Sequence, residues 1–216
     1  MLPARLLTER IEAGVDEVGR GCLAGPVCAA AVILPPDFSL PGLTDSKQLS
    51  LRQREAMDAE IRNRALAFAI GEASPVEIDR LNILGATFLA MHRAIEALDP
   101  APEYLLIDGN RFRTALPIPY ETLVKGDGRV ASIAAASVLA KVHRDKLMVK
   151  YSGEYPGYGW ERNVGYGTTD HLKGISRLGL TPLHRRSFRP CHPTLFDSEE
   201  LKGGPSLTSE ASELGR

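Results

Sequence analysis

The chain has 216 residues, of which 44% are hydrophobic and 25% are charged, and its net charge is −1. This balance excludes a disordered protein, and the length suits one core with a small appendage. No apolar run is long enough to cross a bilayer, and the charged N-terminus does not resemble a signal peptide. We therefore expect a cytoplasmic protein without membrane contact, and we take a monomer as the default.

The cysteines are three in number, namely Cys22, Cys28 and Cys191. The number is odd, and the sequence contains no CxxC pair and no Cys/His spacing typical of a metal ligand set. Both observations argue against a disulfide framework and against structural zinc. We expect Cys22 and Cys28, which flank an apolar run, to be packing residues.

Charge is distributed unevenly along the chain. Residues 1–140 carry a net charge of −4, residues 141–190 a net of +6 and residues 191–216 a net of −3. A basic segment beside an acidic one suits a metal site next to a track for phosphate groups. A solvated helical surface explains the same counts more simply.

The first half of the chain predicts three strands and three helices. Apolar and polar residues alternate over the first strand, and the second is a continuous apolar run closed by Pro35 and Pro36. Ser50 with Gln53, and Ser74 with Glu77, have the spacing of helix N-caps, the second with Pro75 at the first helical position. In chain order the elements are strands at 11–18 and 27–34, a helix at about 50–64, a strand at 66–73, a helix start at 74–77 and a longer helix at about 83–98.

The second half predicts two short strands followed by helices. Buried strands are expected at 104–108 and 121–125, and an alanine-rich helix, able to sit close to a sheet, at about 130–151. A Gly/Tyr-rich loop at 155–167 and a short helix at 168–178 follow. We expect an α/β fold, a mixed β-sheet with helices on its faces. From Pro190 onward the chain is polar, and residues 190–216 are predicted to be a poorly ordered tail.

Acidic residues stand at the ends of three predicted strands. Asp16 and Glu17 close the first strand, Asp108 closes the strand at 104–108, and Asp127 follows the next strand by two residues. Functional sites in open α/β sheets form at strand ends, and clustered acids are unfavourable without a cation. Carboxylate ligands indicate Mg²⁺ or Mn²⁺, and four of them suffice for two ions of the kind that hydrolyse phosphodiesters.

A plainer interpretation of these acids remains open at this point. An Asp-Gly pair is usually a turn, which is all that Asp108 and Asp127 need be. Neighbouring residues of a regular strand point to opposite faces. Asp16 and Glu17 can therefore share one site only if the backbone turns there, as the Gly-Arg-Gly at 19–21 makes plausible.

Several motifs together resemble ribonuclease HII, the type 2 ribonuclease H. The first is Gly14-Val-Asp-Glu-Val-Gly-Arg-Gly21, followed by Ala24-Gly-Pro26. The resemblance covers residues 11–189 and departs from the family at no expected acidic position. Further matches are Thr44-Asp-Ser-Lys47, Ile107-Asp-Gly-Asn110, Val124-Lys-Gly-Asp127, Ala134-Ala-Ala-Ser137 with Ala140-Lys141, Gly165-Tyr-Gly-Thr168 and His184-Arg-Arg-Ser-Phe188.

The resemblance implies a ribonuclease H-like catalytic domain at 1–189 that includes a small helical C-terminal extension. It implies cleavage of the RNA strand of RNA–DNA hybrids, and incision at single ribonucleotides in duplex DNA, leaving 3′-hydroxyl and 5′-phosphate ends. It makes Asp16, Glu17, Asp108 and Asp127 the catalytic, metal-binding carboxylates. It assigns the ribonucleotide 2′-hydroxyl to Gly19, Arg20 and Gly21, and the sugar after the junction to Tyr166.

These roles agree with elementary chemistry. Telling RNA from DNA requires contact with the 2′-hydroxyl, which both donates and accepts. Glycines on both sides of Arg20 let the backbone approach the ribose, and Tyr166 between two glycines offers an exposed flat ring. Without the resemblance, a loop tyrosine packed on the core is the simpler interpretation.

Basic and histidine side chains are weaker candidates. Lys47, Lys141, Arg144 and Lys146 could contact phosphates, although a lone lysine is usually a solvated surface group. His143 and His184 invite an acid–base role, but metal ions are expected to lead the chemistry, and His184 is expected to be structural.

Three alternatives compete with this interpretation. Ribonuclease HIII normally carries a domain before its acidic doublet, and here Asp16 comes too early for one. A junction resolvase of the same superfamily is the second. The third is a silent nucleic-acid-binding module, although a binder has no use for clustered acids facing a polyanion. The sequence indicates nothing about a sliding-clamp contact.

Overall fold

The computed structural model describes residues 2–7 and 9–191, and its centre is a five-stranded sheet. The strand order is β3-β2-β1-β4-β5, with β1, β2 and β3 antiparallel to one another in turn, and β1, β4 and β5 parallel. The mixed sheet expected from the sequence is confirmed. The strands are β1 (Glu12–Val18), β2 (Val27–Ile33), β3 (Ala67–Ala73), β4 (Tyr104–Asp108) and β5 (Tyr120–Leu123).

The described residues form five α-helices, of which α2 and α3 pack directly against the sheet, and the predicted capping boxes are present. Ser50 and Gln53 exchange both hydrogen bonds at the start of α1, as do Ser74 and Glu77 at the start of α2. The two predicted helices at 74–77 and 83–98 form one kinked element, with the break at Asn82, whose φ is 59°. The helices are α1 (Leu51–Arg64), α2 (Pro75–Glu96), α3 (Ala131–Glu154), α4 (Trp160–Asn163) and α5 (Thr169–Leu178).

Strand β1 is buried on both faces, although apolar and polar residues alternate along its sequence. One face packs against α2 through Ala13 and Val15, and the other faces α3. Glu12 is fully buried there, and its carboxylate accepts the backbone N–H groups of Leu6 and Leu7 at 3.0 and 3.1 Å. The central place of β1 in the sheet explains this, since helices cover both of its sides.

Close contact between α3 and β1 requires a glycine. A Cβ atom on Gly14 would lie 2.3 Å from the backbone carbon of Ser132. The alanine-rich start of α3 presents small side chains to the sheet, as predicted, and Ala134, Ala135 and Ala136 are fully buried. Helix α3, which begins just after Asp127, is thereby packed directly against β1, the strand that carries Asp16.

Element boundaries differ from the sequence predictions at the end of β5 and within the predicted loop at 155–167. Strand β5 ends at Leu123 rather than 125, because Lys125 adopts a left-handed conformation with φ 56°. The predicted loop at 155–167 contains α4, whose Trp160 is fully buried against Tyr158. Helices α4 and α5 form the expected small helical extension. The predicted tail falls largely on residues 192–216, which lie outside the described residues.

Candidate active site

Asp16 and Asp108 lie side by side on the two central parallel strands. Val15 of β1 is opposite Ile107 of β4, so each aspartate occupies the next position of its own strand. Alternation along the strands turns both aspartates toward α3, the face on which Gly14 contacts that helix. Asp16 and Asp108, which come from distant segments of the chain, are thus neighbours at adjacent strand ends, as expected if they share one site.

Asp127 reaches the same place from a short 3₁₀ turn, Gly126–Gly128, just before α3. The turn is tied to β4, because the backbone N–H of Gly126 donates to Oδ1 of Asp108 at 2.7 Å. The left-handed backbone of Lys125 lets the chain leave β5 and fold back in this way. Asp127 itself is buried.

Glu17 joins the group although the expected backbone turn is absent. Strand β1 continues regularly to Val18, so the turn begins later, at Gly19 with φ 88°. The carboxylate of Glu17 accepts a hydrogen bond from Nη1 of Arg20 at 3.2 Å. Burial raises the pKa of Glu17, Arg20 and Lys47 oppose that rise, and Asp108 adds to it. Glu17 therefore lies within electrostatic reach of the aspartates.

The site holds more negative charge than its own cations neutralise. Burial raises the pKa of Asp16 well above its usual value, and the carboxylates of Glu17 and Asp108 raise it further. Hydrogen bonds from Ser137 and from the backbone N–H of Glu17 oppose that rise. Burial likewise raises the pKa of Asp127, with Asp108 next in effect. Such a group of acids favours the binding of a cation.

Lys47 lies within electrostatic reach of this charge. Burial lowers its pKa, but the carboxylates of Asp45, Asp16, Asp127 and Asp108 together raise it above the ordinary lysine value. Sequence reasoning gave Asp45 no role, although it lay within a quoted motif. Lys47 also lines an open cleft of about 430 Å³ whose other lining residues are Asp45, Gln48, Asp108, Lys125, Asp127 and Gly128.

The donor set fits hard divalent cations, since all four ligand candidates are carboxylates. The carboxylates are not gathered as they are around a bound ion. A metal site needs at least three ligand atoms close together. Among residues 2–7 and 9–191, the His, Cys, Asp or Glu side chains that bring three such atoms within 4.8 Å of one another are Cys28, Glu72 and His143. Acids without a counter-ion repel one another, which is consistent with their wider spacing.

Two fully buried arginines shape the loop that follows β1. The guanidinium of Arg185 donates to the carbonyl oxygens of Gly19 at 2.7 Å, Arg20 at 2.8 Å, Gly25 at 3.0 Å and Pro26 at 3.1 Å. Because a trans peptide points its N–H opposite to its C=O, the N–H groups of Arg20 and Gly21 point away from Arg185. No role was predicted for Arg185, although it lies in the motif at 184–188.

The expectation that Arg144 contacts phosphate is wrong. Its side chain is fully buried and donates to the carbonyl oxygens of Ala24, Pro26 and Val164 at 3.0, 3.0 and 2.8 Å. A Cβ atom on Gly19 would lie 2.2 Å from Nε of Arg144, so a side chain at position 19 would displace this arginine. Two of the basic residues counted in segment 141–190 are therefore structural.

Tyr166 lies beside the Gly-Arg-Gly segment. A Cβ atom on Gly21 would be 4.0 Å from Cε1 of the Tyr166 ring, and the N–H of Leu23 donates to the carbonyl of Gly165 at 2.8 Å. The residue is 41% exposed, so it is not the core-packed loop tyrosine of the simpler interpretation. Arg20, Gly21 and Tyr166 are thus exposed side by side next to Glu17, whereas Gly19 is buried beneath them.

A buried histidine pair supports the Tyr166 loop from behind. The N–H of Thr181 donates to Nδ1 of His184, whose Nε2–H therefore donates to Nε2 of His171 at 3.1 Å. Trp160 also donates to His171 Nε2, and His171 Nδ1–H donates to the Tyr166 carbonyl at 2.9 Å. Burial lowers the pKa of both histidines, that of His184 to about 4. The structural role expected of His184 is confirmed.

The remaining candidates lie outside this group. Lys141 forms an ion pair with Asp145 at 2.7 Å, and Lys146 is exposed on α3. His143 pairs with Glu72 at 2.6 Å rather than with any of the four carboxylates.

Comparison with known proteins decides the family. The model of the family "Ribonuclease HII" matches residues 13–191. The chain belongs to the ribonuclease HII family. A ribonuclease HII of Pelodictyon phaeoclathratiforme is 57% identical over 187 residues, which cover 84% of this chain and 91% of the relative. One of Parabacteroides distasonis is 56% identical over 188 residues, 87% of this chain and 94% of the relative.

Solved structures agree on the fold. The ribonuclease H2 of Pyrococcus horikoshii OT3 has a TM-score of 0.73 at 23% identity, covering 88% of this chain and 99% of that one. The ribonuclease HIII named Bst-RNase HIII, solved in complex with Mn²⁺, has a TM-score of 0.61 at 20% identity, covering 88% of this chain and 71% of that one. The complex of PCNA with RNase HII from Archaeoglobus fulgidus has a TM-score of 0.62 at 22% identity, covering 87% and 99%.

Membership of the ribonuclease HII family makes the chain a ribonuclease H, an endonuclease that acts on RNA in RNA–DNA hybrids. The enzyme class and the ribonuclease H-like fold expected from the sequence are confirmed. The silent binding module and the junction resolvase are thereby excluded. Among the described residues, no helix is long and apolar enough to span a membrane.

Proposed function

We propose that the chain hydrolyses the RNA strand of hybrids and incises 5′ of single ribonucleotides in duplex DNA, leaving 3′-hydroxyl and 5′-phosphate ends. The observation that carries this is the grouping of Asp16, Glu17, Asp108 and Asp127 beside the Gly-Arg-Gly loop. The carboxylates suit cations that act on a phosphodiester, and the backbone N–H groups of the loop suit the 2′-hydroxyl of a ribose.

The four carboxylates would hold two divalent cations, Mg²⁺ or Mn²⁺. Such ions supply activation of the attacking water and neutralisation of the leaving oxygen. The protein itself holds Asp108 in place through the N–H of Gly126 and Asp16 through Ser137. Lys47 faces the same charge, and this supports a contact between its ammonium group and a phosphate near the scissile bond. Lys141 could do so only by leaving Asp145.

Selection of the ribonucleotide is assigned to the loop and the ring. With their carbonyls held by Arg185, Gly19 and Arg20 leave the following N–H groups free to meet the 2′-hydroxyl. Gly21 lets the ribose approach, and Tyr166 stacks on the next sugar. We further propose that the enzyme works as a monomer in the cytoplasm, in line with its three free, buried cysteines.

The decisive experiment uses duplex DNA with one ribonucleotide, with and without Mg²⁺, and maps both product ends. The Asp108→Asn variant is expected to lose at least about a hundredfold in cleavage rate while it still binds the duplex. Asp37→Asn, at an exposed position away from the site, is the matched control and should cleave normally. Near-normal turnover by Asp108→Asn, or cleavage without any divalent ion, contradicts the proposal.

A further inference from the structure

Three side chains outside the active site form a compact group of different ligand types. Cys28 of β2 and Glu72 of β3 are opposite each other in the sheet, and His143 of α3 lies against both. Their sulfur, oxygen and nitrogen atoms all lie within 4.8 Å of one another. Neither their spacing along the chain nor any motif indicated this group, because β-sheet pairing and the packing of α3 bring it together.

We propose that Cys28, Glu72 and His143 form a binding site for a transition metal of the Zn²⁺ type. A thiolate, an imidazole and a carboxylate are ligands that Zn²⁺ accepts, whereas Mg²⁺ and Ca²⁺ prefer oxygen alone. The thiol is buried, but the side chains of His143 and Glu72 are 34% and 41% exposed. Water can therefore reach a fourth coordination position.

The geometry requires only a small rearrangement. Nε2 of His143 and Oε1 of Glu72 are 2.6 Å apart, the distance of a hydrogen bond. Two ligands at about 2.0 Å from a tetrahedral metal lie roughly 3.3 Å from each other. The pair must therefore separate by less than about 1 Å. Both side chains are partly exposed, so they have room for this movement.

Metal binding also displaces a proton. Burial, with the charge of Glu72 next in effect, raises the pKa of Cys28 to about 12, so the free protein carries a thiol. On binding, the S–H bond breaks, a sulfur–metal bond forms, and the proton passes to solvent. The metal ion keeps its oxidation state throughout, so the step needs no oxidant or reductant.

The site would join β2, β3 and α3 beside the active site. Cys28 is the β-sheet partner of Val18, the residue that follows Glu17, and His143 precedes Arg144 on α3. The metal would thus cross-link the sheet to the helix whose buried arginine holds the loop after β1. This inference does not depend on the proposed function, since none of its three ligands is among the four carboxylates.

Cobalt tests the site without any measurement of cleavage. Co²⁺ added to the reduced, chelator-treated full-length protein should produce a thiolate-to-cobalt charge-transfer band in the near ultraviolet, and Zn²⁺ should remove it. Carboxylates of the active site cannot give this band, because they contain no sulfur. Cys28→Ser should abolish the band, and Cys191→Ser, at another buried cysteine, should retain it.

His143→Gln keeps the test decisive if Cys28→Ser does not fold, since position 143 is partly exposed. It should weaken Co²⁺ binding at least about tenfold, as expected for a disturbed metal site. Absence of the band in the reduced wild-type protein overturns the proposal. Persistence of the band at full strength in Cys28→Ser or His143→Gln does so as well.

Discussion

The carboxylate of Asp16, which we propose as a metal ligand, lowers the stability of the folded chain at neutral pH. Its pKa is raised in the folded chain by burial, then by Glu17 and Asp108. A carboxyl whose pKa is raised by folding favours the folded state at low pH, and this contribution is lost as pH rises above 3.8 and through the folded pKa. At neutral pH without metal, Asp16 therefore destabilises the protein.

Asp16→Asn is accordingly expected to raise the Tm measured in chelator, while it abolishes cleavage. The asparagine oxygen can still accept the N–H of Glu17, so the change removes charge and little else. Mg²⁺ should raise the Tm of the wild-type protein and have a smaller effect on the variant. Asp37→Asn should leave the Tm unchanged. A lower Tm for Asp16→Asn in chelator would contradict this prediction, because it would mean that other groups of the protein stabilise the Asp16 carboxylate without metal.

The role proposed for Tyr166 depends on its aromatic ring. Tyr166→Ala should reduce incision at a single embedded ribonucleotide by roughly tenfold or more, the equivalent of 1–3 kcal/mol for a stacked ring. Long hybrids offer many registers and should be affected less. Tyr166→Phe keeps the ring and serves as the control. Equal losses on both substrates would contradict this role.

Elements were predictable wherever the signal is local. The N-caps of α1 and α2, the apolar run of β2 and the strand-end acids were all visible in short stretches of sequence. The burial of the second face of β1 could not be predicted in this way, because it depends on α3, which follows more than a hundred residues later. Arg144 and Arg185 were not recognised as buried for the same reason, since their partners are distant backbone carbonyls.

The contact between α3 and β1 gives a prediction at the level of elements. In Gly14→Ala the new methyl group would overlap the backbone at Ser132 and push α3 away from the strand. We expect the free energy of unfolding to fall by about 3 kcal/mol or more, with weaker Mg²⁺ binding because Asp127 precedes that helix.

Gly153→Ala, on the same helix with nothing within 4 Å, is the matched control for this contact. It should change the free energy of unfolding by less than about 1 kcal/mol. Chemical denaturation measures both variants. If Gly14→Ala is as stable as the control, α3 does not need this close approach.

At the scale of the whole molecule, buried polar groups tie the C-terminal segment of the described chain to loops that precede it. Arg185 joins the C-terminal segment to the loop after β1, and the pair His171 and His184 supports the Tyr166 loop. This histidine pair is neutral in the folded state, and each ring nitrogen has a defined donor or acceptor role. A proton added to either ring removes an acceptor that is already in use.

Stability should therefore fall in mild acid. His184 has a folded pKa of about 4 against an ordinary 6.5, so the unfolded chain binds a proton that the folded chain does not. Its contribution is present above pH 6.5 and is lost as pH falls toward 4, by roughly 3 kcal/mol in total. The difference in unfolding free energy between wild type and His184→Gln should shrink by this amount. A pH-independent difference would contradict the assignment.

Arg185 also sets an order of events during synthesis. The loop at 19–26 emerges from the ribosome early, but the guanidinium that holds four of its carbonyls is made some 160 residues later. A nascent chain therefore possesses its first acids long before the loop proposed to contact the 2′-hydroxyl can be held in place. Under the proposed assignment, selective incision becomes possible only after Arg185 has been translated.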